Sequence, residues 1–352
     1  MTTQLEQLAA LDLPGTVSQE PVVVAEGDAP ELIAGLEAEA ILGVGVWAVE
    51  SGNLVIDQDA LQRLTGRHDV VMAQCLRNEL TAVQVSEAFA AKGIRHRLLK
   101  GAALAHTIVS QPNLRSFRDV DILVPSDQLD DAVATLKAHG ATRSLPELRP
   151  GFDRRFGKSV TMKLGEVEVD LHRLLAPGPF GVWMRPNDLF VLKDHLRLAG
   201  VDIPTLDTTD HFIHACYHVA LGQRSPLLAN LRDVALLAAA DVDWSRVDQT
   251  VGRWRGTAVM QRCLKLVEAR LEVELPEAFT KYRRAPLEAD ERLAVDPYLT
   301  DDLEGRFAAL APATLRALPM ADRAAFARAV GFPDGSDPKE RVQSMVERFR
   351  SR

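Results

Sequence analysis

Two aspartates lie two positions apart in the segment Asp119-Val120-Asp121, directly before an apolar run. Residues 120–124 are predicted to form a strand because they are rich in Val, Ile and Leu. In a strand, residues two apart point to the same face. Carboxylates held that close repel each other, and burying them without a partner is costly. A divalent metal ion offsets this repulsion, so the pair is a candidate metal site. Solvated carboxylates at a strand end are the alternative.

A third aspartate, Asp170, lies in the alternating segment 167–172. The alternation predicts a strand that places Asp170 and His172 on one face. Residues 159–164 are predicted to pair with it through Gly165, whose position is typical of a type II′ hairpin turn. A third carboxylate can complete a two-metal site for phosphoryl displacement. It can also act as a general base on an acceptor hydroxyl. A solvated hairpin face is the alternative.

Lys100 and Gly101 stand between a short strand candidate at 95–100 and a helix that begins at Ala102. Glycine lets the backbone approach a ligand closely. The free N–H groups in the first turn of a helix favour an anion, and Lys100 can add a phosphate contact. An ordinary strand-to-helix turn is the alternative.

Basic residues surround these motifs. Arg115 and Arg118 precede the paired aspartates, and a guanidinium group is suited to bidentate phosphate contacts. Pairing with nearby carboxylates is the alternative. The segment 143–163 is also basic and contains proline and glycine. We interpret it as a mobile, solvated loop beside the site, in preference to a substrate lid.

Three histidines, His211, His214 and His218, have helical spacing that places them near one face. A metal cluster is not favoured, because no nearby cysteine or paired acid completes a ligand set. We expect His214 and His218 to form hydrogen bonds where the helical half meets the catalytic half. They would border the pocket, together with Asp233.

The elements that must position these residues indicate an α/β fold with a mixed central sheet. Residues 1–28 are predicted to be a flexible leader. Residues 29–206 are predicted to be the catalytic domain, with N-terminal helices, short strands within 43–56 and a long amphipathic helix over 67–92. Residues 207–352 are predicted to be a helical C-terminal domain that closes one side of the sheet.

Composition limits the function classes. The chain has 352 residues, 47% of them apolar, so a large core can be buried. Its net charge of −8 argues against a large nucleic-acid footprint but permits binding of one nucleotide. Three separated cysteines without a CxxC pair exclude a zinc ribbon and favour a reducing, cytoplasmic setting. Neither a signal-peptide pattern nor an apolar run of about 18 residues is present, so no membrane span is expected.

The order of elements resembles the nucleotidyltransferase superfamily, which includes DNA polymerase beta and the aminoglycoside nucleotidyltransferases. More narrowly, LLKGAALAHTIVSQPNLRSFRDVDILV followed by VEVDLHRLL is similar to a bacterial family of uncharacterised nucleotidyltransferases. The shared features are a Leu-Lys-Gly turn, an Arg-x-x-x-Asp-hydrophobic-Asp strand and an Asp-Leu-His strand. The resemblance is sharpest over residues 93–175.

The resemblance implies that Asp119, Asp121 and Asp170 are the catalytic carboxylates and bind Mg²⁺ or Mn²⁺. It also implies a surface that binds the nucleoside triphosphate. The residues expected there are Lys100, Gly101, Ala102, Arg115, Arg118 and His172. The superfamily usually has Gly-Ser or Gly-Gly at the turn, so Gly101-Ala102 lacks a hydroxyl contact to phosphate.

The predicted activity is transfer of a nucleoside monophosphate from a nucleoside triphosphate to a hydroxyl or phosphate acceptor, with release of pyrophosphate. A small molecule or a protein is favoured as acceptor over RNA because the chain is acidic. A non-catalytic nucleotide-binding protein on the same fold is the first alternative. Ala102 supports it, and retention of three carboxylates opposes it. A nucleotidyltransferase toxin or regulator is a further alternative.

Overall fold

The computed structural model describes residues 2–16, 20–25, 27–191, 193–222, 225–300 and 303–334. The strands are β1 (Val22–Val23), β2 (Leu54–Val55), β3 (Arg97–Leu98), β4 (Val120–Leu123), β5 (Thr142–Arg143), β6 (Ser159–Leu164), β7 (Val167–His172), β8 (Asp194–Leu198) and β9 (Val201–Thr205). The helices before the last two strands are α1 (Thr2–Ala10), α2 (Ala29–Ala38), α3 (Leu42–Glu50), α4 (Gln58–Ala91), α5 (Ala102–Thr107), α6 (Leu129–Ala138), α7 (Phe152–Arg155) and α8 (Gly178–Trp183). Those that follow are α9 (Thr208–Leu221), α10 (Leu228–Ala238), α11 (Trp244–Arg253), α12 (Thr257–Arg270), α13 (Glu277–Thr280), α14 (Ala289–Val295), α15 (Leu303–Ala317) and α16 (Met320–Gly331).

The central sheet has seven strands in the order β5-β6-β7-β4-β3-β9-β8. The pairs β4–β7 and β3–β9 are parallel, and the other neighbours are antiparallel. The sheet is therefore mixed, and the predicted α/β fold class is confirmed. Gly165 in the β6–β7 turn has a φ of +60°, the conformation that its place in a type II′ turn requires.

The long helix α4 packs against the sheet with buried residues such as Val85 and Phe89. It begins at Gln58, nine residues before the predicted start, because the side chain of Asp57 caps it by accepting the Ala60 N–H at 2.7 Å. Gly93 follows its end with a φ of +68°, as the sequence predicts.

The prediction of short strands over 43–56 is correct only for β2, because residues 42–50 form helix α3. This helix is buried on almost every side, so its valines pack in the core without an amphipathic pattern. Gly43 is needed there, since a Cβ atom would lie 1.9 Å from the carbonyl oxygen of Asn113. Tertiary packing has overridden β propensity.

The N-terminal segment, which the sequence predicts to be a flexible leader, contains helix α1 packed into the core. Leu8 and Ala9 are fully buried. The carbonyl oxygen of Leu11 accepts a hydrogen bond from the buried Arg232 at 2.6 Å. A nine-residue helix is too short to be stable alone, so its packing depends on the later helices that cover it.

The described residues between 207 and 334 are largely helical, as predicted, and form α9 to α16. One continuous apolar core joins α9 and α10 to the N-terminal helices and to Leu99 and Leu123 of the sheet region. The division of the chain at residue 206 therefore stays a prediction. Among the described residues, no helix combines the length and apolar character needed to cross a membrane.

Candidate functional site

Parallel pairing of β4 and β7 builds the centre of the site. Asp121 is the register partner of Asp170, and Leu123 is the partner of His172. Within the described part of the chain, Asp121, Asp170 and His172 form a group whose candidate ligand atoms all lie within 4.8 Å of one another. All three side chains are buried.

Asp121 has a hydrogen-bonding or ion-pair partner on each side. Its Oδ2 lies 2.8 Å from Nζ of Lys100, and its Oδ1 lies 2.7 Å from Nε2 of His172. Burial alone would raise the pKa of Asp121, but Lys100 and His172 hold this pKa well below its usual value. Burial likewise lowers the pKa of Lys100, but nearby carboxylates, led by Asp119, raise it overall. The pair is therefore ionised.

The end of β3 fixes the position of Lys100. The N–H of Leu99 donates to the carbonyl oxygen of Asp121 at 2.9 Å, which brings the next residue beside the carboxylate. Gly101 then turns the chain with φ +50° and ψ −121°, a conformation that favours glycine. In the turn that follows, the Ala103 N–H donates to the Lys100 carbonyl at 2.9 Å. The N–H of Ala103, which the sequence predicts to be free to bind an anion, is therefore already hydrogen-bonded within the turn.

Asp170 is held from the neighbouring strand β6, because the hydroxyl of Thr161 donates to its Oδ1. Thr161 is the register partner of Asp170, so the hairpin register is the signal that could have identified it in the sequence. Asp119 is half-buried and lines the same cavity, but it lies outside the compact group. The third member of the compact group is His172, whereas the sequence predicts Asp119 in that position.

Arg115 forms a buried, bidentate ion pair with Asp233 of α10, at 2.7 Å and 2.6 Å. Its Nη1 also donates to the carbonyl oxygen of Gly101 at 3.4 Å. The structure thus shows Arg115 paired with a carboxylate, which was the alternative to a phosphate contact. Arg115 also supports the turn beside Lys100. Arg118 is exposed at the same cavity, and Ala102 is buried beneath the turn.

The site opens into a cavity of about 700 Å³. One wall is largely apolar and comes from residues 145–156, from helices α15 and α16 and from the residues just after α16. The apolar residues that line this wall are Leu145, Leu148, Phe152, Phe156, Leu310, Phe326, Val330 and Pro333. The cavity therefore has an acidic end and an apolar end.

Residues 143–163, interpreted from the sequence as a mobile and solvated loop, are tied to α16. Arg155 pairs with Asp322, and the Asp334 N–H donates to the Leu148 carbonyl at 2.8 Å. The rings of Phe152 and Phe156 lie 6.1 Å and 5.4 Å from that of Phe326. The sequence did not indicate this wall, because its two halves are about 170 residues apart.

The three histidines of α9 separate into two roles. The Nε2 of His211 lies 3.4 Å from the hydroxyl oxygen of Thr205, the last residue of β9. His214 and His218 line the cavity, so the prediction that they border the pocket is confirmed. The predicted hydrogen bonds are wrong, since neither ring is bonded to a described residue, and Asp233 pairs with Arg115 outside the cavity lining.

The donor set fits a divalent cation. Two carboxylates and one imidazole converge from two strands. Such a mixed set of oxygen and nitrogen donors suits Mn²⁺ better than Mg²⁺. Lys100 already balances one of the two negative charges. The group is therefore a candidate metal site formed by Asp121, Asp170 and His172.

The fold and the site define a mixed α/β protein whose sheet carries a buried acidic centre at one cavity. The family described as "Uncharacterised nucleotidyltransferase" matches residues 25–272. The chain belongs to this uncharacterised nucleotidyltransferase family.

One solved structure similar to this chain is an antigenic nucleotidyltransferase-like protein from Paracoccidioides brasiliensis. It is 12% identical, has a TM-score of 0.32, and the alignment covers 55% of this chain and 93% of that one. No curated protein matches the sequence.

Proposed function

We propose that the protein transfers a nucleoside monophosphate from a nucleoside triphosphate to a hydroxyl or phosphate group of an acceptor. The observation that carries this proposal is the pairing of Asp121 with Asp170 beside Lys100, in a chain of the nucleotidyltransferase family. An acceptor oxygen forms a bond to the α-phosphorus as the bond to the β-phosphate oxygen breaks, and pyrophosphate leaves.

Asp121, Asp170 and His172 would hold the Mg²⁺ or Mn²⁺, with Asp119 as a further carboxylate at the same cavity. When bound, the metal ion supplies positive charge against the triphosphate. Lys100 adds a cationic group on the same side. Arg118 and the backbone of Gly101 and Ala102 are proposed to contact the phosphates, while Arg115 positions the turn.

Asp170 is proposed to accept the proton of the acceptor hydroxyl. The Thr161 hydroxyl donates to its Oδ1, which fixes the orientation of the carboxylate. The Asp170 carboxyl group holds this proton while the acceptor oxygen bonds to phosphorus, and it releases the proton to solvent once pyrophosphate has left.

A small molecule is the acceptor that the cavity favours. The volume of the cavity, about 700 Å³, lies in the range of small-molecule sites, and α15 and α16 contribute to its apolar wall. A protein side chain is the second choice. RNA is the least favoured because the chain carries a net charge of −8. The free, buried cysteines Cys75, Cys216 and Cys263 support a reducing, cytoplasmic setting.

The test is incubation of the protein with each α-labelled nucleoside triphosphate and Mg²⁺ or Mn²⁺, with and without cell extract. Label transferred to an acceptor, together with pyrophosphate release, is the expected result, and Asp121→Asn should abolish both. Asp202→Asn, an exposed aspartate of β9, is the matched control. Transfer that persists in Asp121→Asn would show that the site is wrongly assigned.

A non-catalytic nucleotide-binding protein is the second candidate. It is favoured by Ala102 at the turn and by the existing ion pair between Lys100 and Asp121. Nucleotide binding without transfer of label from any of the four triphosphates would select it.

A further inference from the structure

Helix α9 presents two histidines to the cavity that the mechanism above does not use. The ring centroids of His214 and His218 lie 6.4 Å apart, and both side chains line the cavity that contains Asp121 and Asp170. His214 is only 3% exposed, and His218 is half-buried. Neither ring has a hydrogen bond or an ion pair to any residue that the structure describes.

Other buried histidines of the chain differ in this respect. His68 contacts the Asn113 carbonyl oxygen at 3.1 Å, His96 contacts the Ser86 hydroxyl at 2.7 Å, and His172 contacts Asp121. Buried polar groups are nearly always hydrogen-bonded, and leaving one unmatched is costly. Two unmatched imidazoles that face one cavity therefore indicate a ligand that supplies their partners.

The charges around the rings indicate an anionic ligand. Burial, followed by cationic and imidazole neighbours, lowers the pKa of both histidines well below the usual value. The groups that act on His214 are His218, His172, Lys100 and His211. Those that act on His218 are Lys100, Lys158, Asp121 and Arg115. Most of these neighbours make the positive form of either ring unfavourable, and an anion would reverse that effect.

The two rings therefore have the chemistry of a phosphate-binding surface. A neutral imidazole has one N–H donor, and a triphosphate has several non-bridging oxygens that accept hydrogen bonds. Lys100 and Gly101 line the same cavity, and the proposed function places the phosphates beside them.

We propose that His214 and His218 bind the triphosphate of the nucleotide by donating their ring N–H groups to its non-bridging oxygens. This inference rests on the proposed function, since it assumes that a nucleoside triphosphate occupies this cavity. It adds a second wall, from helix α9, to a site otherwise built on the sheet.

The test is calorimetric titration with inorganic tripolyphosphate and with ATP, both in the presence of Mg²⁺. His214→Leu and His218→Leu are each expected to weaken binding of both probes roughly tenfold or more, because each loses a hydrogen bond to a charged group. His211→Leu is the matched control, since His211 is equally buried on the same helix but faces Thr205. It should change the affinity by less than about twofold.

A second measurement uses the native chain, in case a variant does not fold. Tripolyphosphate should shift the ring nitrogen resonances of His214 and His218 in NMR spectra, with little effect on those of His96. Failure of the native chain to bind either probe would overturn both the inference and the proposed function.

Unchanged affinity in both variants, with unshifted rings, would overturn the inference alone. Normal affinity for both probes combined with lost label transfer would also overturn it, and would place the two histidines beside the acceptor.

Discussion

Asp121 and Asp170 are register partners on two parallel strands, and His172 reaches back from the second strand to contact Asp121 at 2.7 Å. The same contact that assembles the candidate metal site therefore also fixes β4 against β7. A shift of the pairing by one residue would turn one of the aspartates to the opposite face of the sheet. The register of this pair is thus a requirement of the site as well as of the fold.

Asp121→Asn should lower the rate of label transfer about 100-fold or more, because it removes a proposed metal ligand and the partner of Lys100. It should also weaken binding of Mn²⁺, which can be followed by electron paramagnetic resonance without any acceptor. Asp202→Asn should change neither. Unaltered Mn²⁺ affinity in Asp121→Asn would remove this residue from the metal site.

Gly101→Ala should destabilise the protein by about 1–3 kcal/mol, because its φ of +50° and ψ of −121° are strained for any other residue. A Cβ atom would only touch the Phe117 ring at 3.6 Å, so the cost comes from the backbone. Urea denaturation measures the change. Gly66→Ala, in the exposed interior of α4, should instead stabilise by up to about 1 kcal/mol. Equal effects at the two positions would contradict the strain argument.

Arg115→Met should destabilise the protein by about 3–5 kcal/mol, because it leaves the buried carboxylate of Asp233 without its partner. Adding Asp233→Leu should recover much of that loss, since the double variant buries no charge. A double-mutant cycle by urea denaturation gives the coupling. If the double variant is as unstable as the sum of the single variants, the pair has no net coupling.

Phe326→Ala should release α16 from Phe152 and Phe156 and open the apolar wall. The cost is about 3–5 kcal/mol, from the large buried side chain that is removed. Amide hydrogen exchange should accelerate within 320–331 while exchange in α9 stays slow. Phe332→Ala, whose side chain is 73% exposed, should leave exchange unchanged. Slow exchange across α16 in Phe326→Ala would show that the aromatic contacts are not what holds it.

The stability of the native chain should fall relative to His211→Leu as the pH drops from about 6.5 to about 4. Burial lowers the pKa of His211 to about 4. The unfolded chain therefore binds a proton, at the usual pKa of about 6.5, that the folded chain does not yet bind. The lost stability amounts to up to about 3 kcal/mol, and it is fully recovered above pH 6.5.

Asp210, whose pKa burial raises to about 6, acts in the opposite direction, but it is common to both proteins and cancels in the comparison. Urea denaturation at pH 4.5 and pH 7 measures the difference. A difference in stability that does not change between these pH values would show that His211 is not buried in its neutral form.

The local sequence predicted an element correctly where its residue alternation and its functional motif lay in the same short segment. The strand at 120–124, the hairpin at 159–172 and the turn at Gly101 were predicted close to their observed bounds, because alternation and glycine act over a few residues. The helix α3 and the packed α1 were missed, since each depends on burial by distant segments rather than on its own pattern.

The sequence by itself determined the chemical inventory: three aspartates, a Lys-Gly turn and a histidine on the strand face, in an order typical of nucleotidyltransferases. Only the tertiary structure decided which of them meet. It paired Asp121 with Asp170, brought His172 rather than Asp119 into their group, and engaged Arg115 with Asp233. It also lined the cavity with α16 and placed His214 and His218 beside it. The reason is physical, because strand register and helix packing join residues that are far apart in the chain, and no local pattern encodes those distances.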